Sequence, residues 1–280
     1  SKAWSKAEMI APKQFREEIS PYFNANPKKY ISALVSEDCW QATPGKVVDL
    51  VRNLGIAAGG TVMEDCRVLE ACREGKYTSV LVQTHDKKYV EYRTEHFVNA
   101  LGSGAGKLCD SMGIDAGLYP VRHQAFITRR LPMLGKHGTN LDMLIDRQDY
   151  KGFSAVYGQQ IAYTGQIIGC ASPKLDAMRI DKNLKVNTKA FLEIVSEMFS
   201  EWIPDLAGVG IQAVWAGYYT EPRYIVDPEL GLFVGMRGHG FMLSQYIARM
   251  YVDKLLGRPV PEYFEKLKLN GPGLSEKAFK

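Results

Sequence analysis

The residues of this chain whose types and spacing could do chemistry gather at two glycine-rich turns. One is Gly231-Leu232-Phe233-Val234-Gly235-Met236-Arg237-Gly238-His239-Gly240-Phe241. An apolar run with strand character ends there in a tight turn. The pattern that opens at Met242 (Leu243, Tyr246, Ile247, Met250, Tyr251, Leu255) predicts a helix. Such a junction lets backbone approach a ligand closely and aims helix N–H groups at negative charge. It can equally be an ordinary tight strand–helix connection. The other turn is His96-Phe97-Val98-Asn99-Ala100-Leu101-Gly102-Ser103-Gly104-Ala105-Gly106, with a helix behind it at Leu108, Cys109 and Met112. Its glycines do not form Gly-x-Gly-x-x-Gly, so alone it is a weak signal.

The elements that must position these turns can be read in order. Residues 1–30 look helical in part, with an end at Ser20-Pro21. Ile31 to Val35 reads as a short strand. Thr43-Pro44-Gly45 opens a helix with a threonine N-cap and proline in first position, and Gly59-Gly60 closes it. Thr61 to Val68 reads as a strand, and Thr78–Thr84 and Tyr89–Arg93 as a hairpin around His85-Asp86-Lys87-Lys88. Residues 140–215 alternate as an antiparallel sheet with one inserted helix, Thr188 to Trp202, whose apolar stripe is Phe191, Ile194, Val195, Met198 and Phe199. Gly208 to Trp215 reads as a further strand.

Composition narrows the class. A net charge of +4 without a dense Lys/Arg block gives no case for nucleic acid. No apolar run reaches transmembrane length, and Ser1-Lys2-Ala3-Trp4 opens no signal-peptide core. The cysteines Cys39, Cys66, Cys72, Cys109 and Cys170 are scattered and odd in number, without Cys-x-x-Cys. That points to a reducing, cytoplasmic setting and away from a zinc or iron–sulfur site.

Phe233-Val234-Gly235 followed by Gly238-His239-Gly240-Phe241 and a helix resembles the C-terminal flavin-contacting motif of the sarcosine oxidase, glycine oxidase and D-amino-acid oxidase family. Family members carry a slightly longer glycine loop. The resemblance covers roughly residues 20–257. It implies FAD as cofactor, with Val68 at the adenine side and Ala100, Leu101 and Gly102 at the sugar–diphosphate region. Gly235, Arg237, Gly238, His239, Gly240, Phe241 and Met242 would then lie at the flavin. The fold it implies is α/β with α+β character: a partial FAD-binding Rossmann-like domain from residues 1–115 and 216–280, and an antiparallel-sheet substrate domain from 116–215.

Tyr119-Pro120-Val121-Arg122-His123-Gln124 is similar to the segment that carries the family's chain into its substrate domain. Arg122 and His123 are open to two readings, active-site groups or polar residues bonding backbone at a crossing. Tyr157 matches a family tyrosine lining the substrate pocket, or simply fills space on the sheet. Tyr219 stands where many members have an arginine, with Arg223 close by.

The departures matter as much. The family begins its FAD site with Gly-x-Gly-x-x-Gly and an acidic residue about 20 residues later, and this sequence has neither. The pyrophosphate turn is therefore expected from a second polypeptide or an upstream segment, which makes a hetero-oligomer one expectation. Met242 stands where the family has a lysine that holds the substrate carboxylate, leaving Arg223, Arg237 or a residue of the missing part for that task. The strand Gln166-Ile167-Ile168 lacks the lysine that promotes reaction with oxygen, and the position of the covalent flavin cysteine falls near Trp215. The resemblance thus implies a dehydrogenase that oxidises an amine or amino acid and passes electrons to another acceptor. Tyr157, Arg223 and His123 are its candidate catalytic residues. A 2-hydroxy acid flavoenzyme and a non-catalytic scaffold or electron-transfer subunit remain as alternatives.

Overall fold

The computed structural model describes residues 7–14, 17, 32–36, 41–131, 134, 143–150, 153–161, 164–173, 184, 188–204 and 208–272. In chain order its elements are β1 (Ala7–Ile10), α1 (Pro12–Gln14), β2 (Ala33–Ser36), α2 (Pro44–Ala57), β3 (Arg67–Glu74), β4 (Tyr77–Gln83), β5 (Tyr89–Thr94) and α3 (Ala105–Ser111). Then come β6 (Tyr119–Thr128), β7 (Leu144–Tyr150), β8 (Phe153–Ile161), β9 (Gln166–Pro173), α4 (Thr188–Trp202), β10 (Ile211–Glu221), β11 (Ile225–Asp227), β12 (Leu232–Val234) and α5 (Gly240–Leu255). The helix expected to end at Ser20-Pro21 lies outside the described residues. Among the described residues no helix is long and apolar enough to cross a membrane.

These elements fall into two compact units. One comprises Ser1–Gln41, Arg122–Asp176 and Lys182–Gly217, and the other Ala42–Val121, Ala177–Asp181 and Tyr218–Lys280. The first unit is a sheet of order β10-β6-β9-β8-β7. One face of it is closed by α4, because the helix stripe read from the sequence is fully apolar. Phe191, Ile194, Val195, Met198 and Phe199 are all buried, against Phe126, Val156, Ile167 and Ala171 of the strands. Phe126 meets Phe199 edge-on with ring centroids 5.7 Å apart. Gly169 is needed beneath this contact, since a Cβ there would come within 2.5 Å of the Phe126 ring. The antiparallel pair β1–β2 adds Ile10 and Val35 to the same core.

The second unit holds the three-stranded antiparallel sheet β3-β4-β5 and the short antiparallel pair β11-β12. α3 packs Leu108 onto Ala71, Val80 and Val82 of the three-stranded sheet. α5 packs Ile247, Met250 and Tyr251 onto Tyr224 and Val226, together with Phe264 and Leu267 of a C-terminal 3-10 turn. α2 has the bounds its Thr-Pro start and Gly-Gly stop predict, yet buries none of its residues.

Two expected strands are corrected here. Thr61 to Val68 was expected to be one strand, but pairing begins at Arg67, and no described strand lies beside residues 61–65. His96 to Ala100 was expected to be a strand, and it makes only one bridge, Asn99 with Leu232, in parallel sense. Both segments have strand composition. What they lack is a neighbour to complete the ladder, and strand propensity alone does not supply one.

Candidate functional site

The parallel bridge fixes the geometry of the second unit. The Asn99 N–H donates to the Gly231 carbonyl at 2.8 Å, and the Phe233 N–H donates to the Asn99 carbonyl at 3.0 Å. Two chain segments therefore run side by side in one direction. Each ends in its glycine turn, and both turns open at the carboxyl end of the pair. Ligands of open parallel sheets bind in the crevice at that end. The Asn99 side chain, itself fully buried, shapes the first turn: Nδ2 donates to the Ala105 carbonyl at 3.0 Å and Oδ1 accepts from the Leu101 N–H at 3.3 Å. Ala100, Leu101 and Gly102 stay exposed beyond it, with Gly102 at φ +54°.

The second turn is held by side chains on both sides. Gly235, at φ +72°, has the Arg223 carbonyl where a Cβ would stand, so only glycine fits. Arg237 takes φ +48°, and its guanidinium pairs with the Glu221 carboxylate, both largely shielded from solvent. The Tyr224 hydroxyl lies 2.6 Å from His239 Nδ1. A Cβ on Gly238 would meet the Tyr219 ring at 2.9 Å, and one on Gly240 would meet Met236 Cβ at 2.9 Å. α5 follows with no side chain capping its first N–H groups. Phe241 and Met242 point outward, 45% and 65% exposed. Val68 is half-buried against the β3–β4 and α3 cluster.

Arg223 is placed differently from Arg237. Its guanidinium donates to the carbonyls of Leu269 and Gly271, which ties the C-terminal segment to the approach to β11.

In the first unit, register sets out a second group of candidates. Tyr157 pairs with Cys170, and Cys170 with Ala125, so the three lie in one row across β8, β9 and β6. His123, two residues before Ala125, shares their face, which is the face turned away from α4. His123 is buried, Tyr157 half-buried, and Tyr157 hydrogen-bonds the Cys170 thiol. Gln166, on the strand lacking the expected lysine, donates through Nε2 to the Thr128 carbonyl at 3.1 Å and to Gln212 Oε1 at 2.7 Å.

The structure thus sets the turn of Ala100, Leu101 and Gly102 and the turn of Gly235, Arg237, Gly238, His239, Gly240, Phe241 and Met242 at the same end of one parallel pair, and His123 and Tyr157 on one sheet face. Sequence reasoning missed Asn99, Glu221 and Tyr224 as the residues that shape the turns. No motif marks them; their partners are remote or defined by backbone shape.

Two glycine turns at the carboxyl end of a parallel pair, with Leu101 and Phe241 exposed beside them, form an arrangement of the kind that dinucleotide cofactors use. The chain belongs to the FAD dependent oxidoreductase family (DAO), whose profile matches residues 2–254. Its fold is that of L-proline dehydrogenase from P. horikoshii, with 24% identity and TM-score 0.74 over 94% of this chain and 68% of that one. Glycine oxidase from Geobacillus kaustophilus is similar as well, at 16% identity and TM-score 0.73 over 95% of this chain and 67% of that one. The glycine oxidase of Bacillus cereus ATCC 14579 matches at 18% identity and TM-score 0.70, over 94% and 69%. No curated protein matches the chain. The family is FAD-dependent, and two features of the turns are compatible with that cofactor: the space around a Cβ placed on Gly102 is open to 4 Å, and no side chain caps the start of α5.

Proposed function

We propose that this chain supplies the substrate-binding sheet and one side of the flavin crevice in an enzyme that oxidises the C–N bond of an amine, N-methyl amino acid or amino acid. The observation that carries the reading is the Asn99–Leu232 parallel bridge, after which both glycine turns follow at the same end of the pair. FAD, when bound there, supplies the hydride acceptor. The backbone donors of Gly240, Phe241 and Met242 would stabilise negative charge on its ring, as an uncapped helix N-terminus does. Ala100, Leu101 and Gly102 would hold the sugar–diphosphate region, and Val68 the adenine side.

His123 and Tyr157 would position substrate from the sheet face they share. An unprotonated amine brings its own lone pair, so no acid–base triad is required. Arg223 and Arg237 are the candidate readers of a substrate carboxylate. Arg237 is already paired with Glu221, and Arg223 already donates to two carbonyls. A substrate carboxylate would have to share or displace these partners, which favours an amine or a singly charged amino acid over a dicarboxylate.

We take the enzyme to be a dehydrogenase rather than an oxidase, since Gln166 occupies the strand where an oxygen-promoting lysine is expected and its amide is bonded on both sides. The phosphate-binding turn would come from a polypeptide or segment outside these 280 residues. Purification of the native complex, followed by its absorbance near about 450 nm, tests the reading. Bleaching by N-methyl amines or amino acids, with reoxidation faster by an artificial acceptor than by oxygen, is the expected result. Bleaching by 2-hydroxy acids alone, or a complex without flavin, would overturn it.

A further inference from the structure

The second glycine turn has its cations engaged from within the chain. Arg237 sits at φ +48°, an uncommon conformation for a residue with a Cβ, and its guanidinium is taken by the Glu221 carboxylate. The pair is shielded, with side chains 22% and 16% exposed. Arg223 directs its guanidinium to the carbonyls of Leu269 and Gly271. His239 shares Nδ1 with the Tyr224 hydroxyl.

Glu221 differs from a backbone carbonyl in what it does to a newcomer. A substrate carboxylate that shared the Arg237 guanidinium would stand beside the Glu221 carboxylate, and like charges set side by side weaken binding strongly. A substrate carboxylate that displaced Glu221 would leave it shielded and unpaired, which is the costly way to break an ion pair. Both routes are unfavourable for an anion, and neither burdens a neutral group. The other side chains of the turn suit such a group. The Tyr219 ring lies against Gly238, and Phe241 and Met242 present exposed apolar surface at the start of α5. Aromatic and thioether surface of this kind accepts alkyl groups.

We propose that Glu221 is a positioning residue that sets specificity: by holding Arg237 it withholds the guanidinium from carboxylates, and the substrate is an alkylamine without a carboxylate rather than an amino acid. Selectivity here comes from a charge arranged against the wrong substrate as much as from contacts to the right one. The inference rests on the amine-oxidising reading above and narrows its substrate class.

The test uses the native flavin-bearing enzyme and two amines of matched shape. N-methylglycine carries a carboxylate where N-methylisobutylamine carries two methyl groups on one carbon. The alkylamine should be favoured in kcat/KM by about 100-fold, a scale that charge discrimination reaches. Glu221→Gln keeps the shape and removes the charge, so the preference should be lost or reversed. Glu221→Asp keeps the charge and should hold the preference within about threefold of the unaltered enzyme. A binding readout stands beside turnover. Acetate should leave the flavin absorbance of the unaltered enzyme unchanged, and should perturb it saturably in Glu221→Gln. Preference for N-methylglycine in the unaltered enzyme would overturn the inference, whether or not the variants assemble. So would a ratio that Glu221→Gln does not move, or one that Glu221→Asp moves as far as Glu221→Gln does. In each of those cases bleaching by an amine still stands, and only the substrate class falls. No bleaching by any amine removes the functional reading and this inference with it.

Discussion

Tyr224 and His239 share a hydrogen bond of 2.6 Å between hydroxyl and Nδ1, with ring centroids 6.1 Å apart. The contact joins the residue before β11 to the last residue before α5. Three residues upstream of Tyr224, Glu221 takes the guanidinium of Arg237. Two side-chain ties therefore reach from the approach strand to opposite ends of the same turn. Arg237 sits at positive φ, where residues with a Cβ are uncommon, and the ion pair helps to hold it there.

Tyr224→Phe removes one tie and leaves the ring. The expected loss is about 1 kcal/mol of stability, the usual net worth of such a bond, read from the urea midpoint. Amide exchange should quicken at His239 and Gly240 while staying unchanged in α4. Uniform quickening across both units would show that the hydroxyl supports more than the turn.

Gly240→Ala should lower flavin occupancy of the assembled enzyme. The structure supplies a cause internal to the chain, because the new methyl would meet Met236 Cβ at 2.9 Å. Met236→Gly in the same molecule relieves that crowding and should restore occupancy. If occupancy stays low in the double variant, crowding against the cofactor is the cause instead.

Asn99→Ala leaves the Ala105 carbonyl without its side-chain partner in a buried place, and the Leu101 N–H without its own in a part-buried one. A cost of about 1–3 kcal/mol is expected. The bonds of Asn99 to Gly231 and Phe233 are backbone and persist, so the chain should still fold. Denaturation by urea checks the first statement and circular dichroism the second.

Burial pushes the Cys170 thiol up to about 11 from 9.0, with the Tyr157 hydrogen bond acting in the opposite sense. Between those values the folded chain keeps its proton while the unfolded chain has lost it. The unfolded state then binds fewer protons, so stability falls as pH rises through the window, by up to about 1.4 kcal/mol per unit. Below pH 9 the contribution is constant. Cys170→Ala should remove this part of the slope, so the gap between the two proteins narrows from pH 8.5 to pH 10.5 in urea unfolding. A gap that does not change with pH would mean the thiol is not shielded.

Legibility in the sequence followed the range of the interaction. α4 has the bounds its stripe predicts, because an amphipathic helix states its own buried face in Phe191, Ile194 and Val195. Both glycine turns were visible because strand, turn and helix are contiguous there. The strand readings at Thr61 and His96 failed where pairing depends on a neighbour that local composition does not name. β1 went unread, since four residues of Ala-Glu-Met-Ile give no period to detect. The ties of Arg223 reach Leu269 and Gly271, more than 40 residues away, and nothing near Arg223 announces them.

That last grip decides where the chain can be shortened. Arg223 holds the carbonyls of Leu269 and Gly271, Asp227 accepts from the Leu269 N–H at 3.4 Å, and Lys268 pairs with Glu229 at 2.7 Å. Phe264 and Leu267, in the same stretch, are almost wholly buried against α5. An expression boundary drawn after Leu255, where the last long helix stops, would look tidy on a domain map. It would strip the core of two anchors and leave a guanidinium facing no carbonyl, so the shortest version that keeps its shape must run to Gly271 or beyond.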